Sequence, residues 1–113
     1  MLDPLAIDKG ALELCKRALR ITWDEETTNL ELWERMCRAE FALNEKLGCE
    51  ADYFSEPSRE QALYLSYLLY AWNGVESDFD VAYQNDILQI RAKLAVAAAE
   101  VTEDDEGEDE DES

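Results

Sequence analysis

The sequence predicts an all-α protein: a small bundle of about four helices followed by an acidic C-terminal tail. Three observations carry this expectation. Apolar residues recur at steps of three and four along most of the chain, strand-like alternation is hard to find, and start and stop signals fall at helix-length intervals. With 113 residues, two prolines and four glycines, the chain has room for one compact domain, residues 1–102, and a tail, residues 103–113.

The first helix is expected to open at Asp3 and Pro4, an N-cap and first-turn pair, and to end near Arg20. Leu5, Ala11, Leu12, Cys15, Ala18 and Leu19 form its apolar face, and Gly10 weakens or divides it. Thr22 and Glu25 have the spacing of a capping box for a second helix, which runs to about Leu47 and stops at Gly48. At 100° per residue, Leu30, Trp33, Met36, Cys37, Phe41, Leu43 and Leu47 share one broad stripe of this helix. Glu40 and Asn44 fall inside the stripe. Either they sit at its margin and reach water, as carboxylates usually do, or the helix meets a neighbouring subunit and Glu40 pairs with an arginine there.

After a loop over Cys49 to Glu56, Pro57 and a Ser58/Gln61 capping box start the third helix. Its ALYLSYLLYAW stretch is apolar on every side, with Leu65, Leu68, Leu69 and Trp72 on one face and Tyr64, Tyr67 and Tyr70 on another. The tyrosines either meet another chain or roof the monomer's own core with their hydroxyls in water. Asn73 and Gly74 end this helix. In the fourth, Tyr83, Ile87, Ile90, Leu94, Ala97 and Val101 make a seam of about three heptads. Its LAVAAAEV half forms helix well but has little bulk, so it is expected either to project and find a partner or to serve as a plain core helix.

Charge and absent residues exclude several functions. Twenty-eight acidic and ten basic residues give −18, which argues against gripping nucleic acid by neutralising phosphates. Nine carboxylates, Glu103, Asp104, Asp105, Glu106, Glu108, Asp109, Glu110, Asp111 and Glu112, sit in the tail with no basic residue, leaving residues 1–102 at −9. Such a run is expected to be disordered when free. There is no histidine, so Cys/His nucleophile pairs and mixed Cys/His zinc sites are unavailable. Cys15, Cys37 and Cys49 are too widely spaced for a C-x-x-C pair and are expected to be reduced, intracellular and mostly buried thiols.

Asp24 with Glu25 and Glu26, or Asp78 with Asp80, could bind calcium weakly, but neither has EF-hand spacing, and caps or solvated surface explain them better. No phosphate loop or nucleophile motif is present, so no enzyme and no cofactor are expected. The start, MLDPLAIDKG, does not read as a signal peptide, and the longest apolar run, Ala62 to Trp72, is about half a membrane span. A soluble, unexported protein without membrane contact is expected.

The order of features resembles the small helical head–tail connector, or adaptor, proteins of tailed bacteriophages. The likeness runs through ALELCKRALRITWDEET, LELWERMCRAEFALNEKLG and EQALYLSYLLYAWNGVESDFDVAYQNDILQIRAKL, roughly residues 11–94. The alanine-rich extension after Leu94 and the tail after Thr102 do not map onto that pattern. The resemblance implies a homo-oligomeric ring of about twelve copies beneath the portal protein. Such a ring extends the DNA channel without binding DNA specifically and offers a platform to a tail-completion or stopper protein. It also implies a place at the head–tail interface of the virion, with host cytoplasm as the site of assembly.

Connectors of this kind grip the portal with a C-terminal segment, which assigns Ile87, Ile90, Arg91 and Leu94 to portal binding. Trp23, Asp24, Glu40, Tyr64, Tyr67 and Tyr70 become candidates for subunit contacts. The competing reading is an acidic decoy, either a DNA-mimic inhibitor or a charged chaperone occupying the basic cleft of a nucleic-acid-processing protein.

Overall fold

The computed structural model describes the backbone of residues 1–112 and the side chains of residues 1–99. It is all-helical among the described residues, with α1 (Lys9–Ala18), α2 (Glu26–Leu47), α3 (Arg59–Trp72), α4 (Glu76–Ala82) and α5 (Gln84–Glu112). α2 and α3 make the central pair; α1 leans on both, and α4 and the first turns of α5 close the other side.

Three helices end in the same device. Beyond α2, Gly48 turns left-handed at φ 78°, and the amides of Gly48 and Cys49 donate back to the carbonyls of Glu45 and Asn44. Beyond α3, Gly74 does the same at φ 74°, with Val75 N donating to Tyr70 O at 2.9 Å. Glycine suits this position because no Cβ opposes a positive φ. α1 ends in the same way, with Ile21 N on Lys16 O at 2.8 Å, but the left-handed residue is Arg20, at φ 61°.

α1 begins five residues later than expected from an Asp3 cap. Asp8 is the N-cap, accepting from Ala11 N at 3.2 Å, while Asp3 instead turns the chain locally through Leu5 N at 2.8 Å. Both aspartates suit a cap, and long-range contacts choose between them. Trp33 Nε1 donates to Asp3 O at 2.8 Å, and Leu2 N donates to Glu40 Oε1 at 2.8 Å, so the first residues lie against α2. The Thr22/Glu25 box does not form, because α2 starts at Glu26 and Glu25 makes no capping bond with its side chain. Ser58 does cap α3, accepting from Gln61 N at 3.1 Å, while the Gln61 amide reaches Tyr53 O instead of closing the box.

The core-facing line of α2 is Leu32, Trp33, Met36, Ala39, Glu40, Leu43 and Leu47. This is rotated from the expected stripe, leaving Leu30 and Phe41 53% and 57% exposed. Asn44 is half-buried and occupied: its Oδ1 accepts from Tyr53 Oη at 2.8 Å and Ala51 N at 3.1 Å, which fixes the loop after α2. Tyr53 is buried there and stacks on Tyr64 with centroids 5.0 Å apart. Arg35 ties α2 to α3 by donating to Ala71 O at 2.9 Å with its guanidinium over the Trp72 ring.

The expected fourth helix is two. It breaks at Tyr83, whose ring stacks on buried Phe79 with centroids 4.7 Å apart. Tyr67 and Tyr70 meet the same phenylalanine edge-on at 4.9 and 5.7 Å. This four-ring cluster anchors α4 to α3, and Lys46 bonded to Asp80 at 2.6 Å anchors α4 to α2.

Candidate interaction surface

Among the described residues no group of three or more cysteines, aspartates and glutamates could hold a metal ion, and no helix is long and apolar enough to cross a membrane. The three cysteines are free thiols, but only Cys15 is buried; Cys37 is half-buried and Cys49, just beyond the Gly48 stop, is exposed, which corrects the expectation that most are enclosed. Burial pushes the Cys15 thiol up to about 12, and burial, with Glu40 nearby, raises Cys37 as well. A thiol held neutral is a poor nucleophile. Among the described residues the cysteines and carboxylates do not gather at one site.

The sequence-derived contact residues divide into those the fold consumes and those it leaves free. Ile90 is 1% exposed, and Ile87 and Leu94 are half-buried against the core. Ile90 is enclosed by its own chain and offers no surface to a portal, which corrects that assignment for Ile90, while Ile87 and Leu94 keep part of their surface open. Arg91 is exposed, its guanidinium lying over Gly48. Tyr64 is also removed from the subunit-contact set: it is fully buried, with Oη donating to Met36 O at 2.7 Å. Burial raises its phenol pKa, and its hydroxyl is not in water.

Glu40, 5% exposed, is corrected on both readings, since it neither reaches water nor needs a neighbour's arginine; the Leu2 amide occupies it. Tyr67 and Tyr70 are half-buried in the Phe79 cluster and offer one edge each. Trp23 and Asp24 stay on the surface. Trp23 is 51% exposed and donates from Nε1 to Thr28 Oγ1 at 3.3 Å. Asp24 accepts from Asn29 Nδ2 at 2.7 Å and faces Lys16 Nζ at 3.5 Å, and these two partners hold its carboxyl below the usual range. The tail carboxylates Glu103 to Glu112, and with them the expectation of disorder, lie outside the described side chains.

Sequence reasoning missed a second face on α5. Leu88, Ala92, Ala95, Val96 and Ala99 are all exposed, Leu88 at 55% and Val96 at 58%. At 100° per residue they span about 100° of the helix, opposite the Ile87–Ile90–Leu94 seam. Val81 of α4, 82% exposed, continues this face across a groove of about 450 Å³ lined by Lys46, Asp80, Val81, Gln84, Ile87 and Leu88. The signal was present as an offset copy of the seam, but the stronger residues at 87, 90 and 94 masked it. α2 carries a similar second strip: Leu30 and Cys37 line a groove of about 430 Å³ beside Pro4 and Arg38, and exposed Phe41 stands one turn beyond Cys37. Both long helices thus present apolar surface outward as well as inward.

No protein-family model, curated protein or solved structure matches this chain.

Proposed function

We propose that this chain is a structural assembly subunit, a head–tail connector that forms a ring beneath a phage portal, extends its DNA channel and supports the next tail or stopper protein. The observation that carries the proposal is the second apolar face of α5, which the described residues leave exposed. Contiguous apolar surface on a small domain marks a partner site. A helix presenting anchors at steps of three and four is a common way to fill a partner's groove. The resemblance over residues 11–94 names the partner class. The charge fits as well: a channel wall with few cations does not hold phosphates at several points at once, so DNA slides.

On this reading the docking residues are Leu88 and Val96 with Val81, in place of Ile90, while Trp23, Leu30 and Phe41 are available for subunit contacts. Solution mass of the chain, alone and mixed with portal protein, tests the proposal: a stoichiometric complex with portal is expected. A monomer that ignores portal and binds a basic nuclease one-to-one would establish the acidic-decoy reading instead.

A further inference from the structure

The charge of this chain is polarised along its length. Residues 1–20 hold four basic and three acidic side chains, whereas residues 21–113 hold six basic and twenty-five acidic. The first helix and the start of its turn are therefore net positive in a strongly negative molecule, up to the acidic run Asp24–Glu26; the other such stretch, residues 87–99, has Lys93 already paired with Glu60. At the end of α1, Arg17 and Arg20 are exposed and take no carboxylate partner among the described residues, although Glu13 stands one turn before Arg17.

Arg20 also stands in the left-handed position that Gly48 and Gly74 fill at the other two helix ends. A side chain is kept where the backbone favours none. Trp23, 51% exposed, lies in the same turn.

The complementary surface is at the opposite end of the chain. α5 packs on α2, α3 and α4 but, among the described residues, not on α1. The eighteen residues from Ala95 to Glu112 continue α5 for about 27 Å beyond its last core-facing leucine. That segment begins with exposed alanines and Val96 and ends in nine carboxylates without a cation.

We propose that the acidic end of α5 from one copy docks on the Arg17, Arg20 and Trp23 corner of a second copy, a head-to-tail contact between copies of this chain. Such a contact joins two different patches and so propagates from copy to copy, closing into a ring when the rotation allows. The inference deepens the ring reading, naming which surfaces meet. A single polarised chain supplies both halves in equal number, which favours this occupant over an unrelated polyanion.

The test uses two full-length variants. One carries Arg17→Glu with Arg20→Glu; in the other the nine tail carboxylates are exchanged for their amides. The wild-type chain is expected to self-associate in sedimentation or native mass measurements, with affinity falling on the order of tenfold or more as screening rises between dilute and molar salt. Each variant alone is expected to be monomeric. Mixed, they are expected to form a one-to-one heterodimer, because one retains the tail and the other the arginines.

Arg20→Gly guards against a trivial folding failure, since the backbone prefers glycine there; it is expected to melt no lower than wild type and to associate more weakly. A mixture that stays monomeric, or a wild-type association unchanged by the amide exchange, overturns the proposal. So does short duplex DNA captured by the same arginines while self-association is unaffected. Portal binding is read separately: its failure would sink the connector reading while leaving a heterodimer in the mixing experiment intact.

Discussion

Replacing Tyr64 by phenylalanine separates a core tyrosine from an interface tyrosine. Its ring is fully buried, stacks on Tyr53 and meets Phe54 edge-on with centroids 5.0 Å away, and its hydroxyl donates to Met36 O at 2.7 Å. Tyr64→Phe keeps the ring and removes that one bond, leaving a buried carbonyl with one fewer donor, so it should cost about 1 kcal/mol. For a domain of this size that is about 5 °C in Tm. Tyr64→Ala empties the centre of the aromatic stack as well and should cost about 4 kcal/mol, a large part of the stability such a domain has. Urea and thermal unfolding followed by circular dichroism read both values, and the stoichiometry of the folded phenylalanine variant should match wild type. Tyr64→Phe with unchanged stability but lost self-association would place Tyr64 at a subunit contact and refute the packing described for α2 and α3.

Three further outcomes follow from the same geometry. Arg20→Gly relieves a left-handed residue and should raise stability by about 1 kcal/mol, visible as a higher urea midpoint. Glu40→Ala removes the acceptor of the Leu2 amide and leaves a small void on the buried face of α2, costing about 1–2 kcal/mol; loss of hydrogen-exchange protection at Leu2 should accompany it. The Cys15 thiol, pushed up to about 12 by burial, stays neutral in the fold while an unfolded thiol ionises near 9. Stability is therefore full below pH 9 and falls as pH rises toward 12, by at most about 4 kcal/mol. Cys15→Ala should reduce the dependence between about pH 9 and 10, before the unfolded tyrosines titrate fully, leaving the smaller share that raised Cys37 contributes.

What was legible in the sequence was the local code. Ser58 as a cap, Gly48 and Gly74 as stops and the three-four spacing placed the helices, because each signal acts within one turn of itself. What was not legible was settled at long range. Asp3 and Asp8 are equivalent caps until Trp33, thirty residues away, takes the Asp3 carbonyl. Glu40 looked like a margin residue because its partner, the Leu2 amide, lies 38 positions away. The break at Tyr83, at φ −115° and ψ 18°, has no glycine or proline to announce it and falls inside an apolar rhythm that reads as continuous.

Both misread faces share one cause. α2 carries Leu30, Cys37 and Phe41 beside Leu32, Met36 and Leu43, and α5 carries Leu88 and Val96 beside Ile87 and Ile90. When a helix has two apolar strips, periodicity says that both exist but not which one the chain keeps for itself. The strip left outside is the surface that carries the functional proposal.

The most direct measurement is sedimentation of the chain with portal protein, comparing wild type with a Leu88→Glu, Val96→Glu double variant. Both positions are more than half exposed, so the variant should fold and melt as wild type does. The account predicts that wild type cosediments with portal in a fixed ratio and that the variant stays at the mass of the free chain. Cosedimentation of the variant equal to wild type, or a wild-type chain that does not bind portal at all, would contradict it.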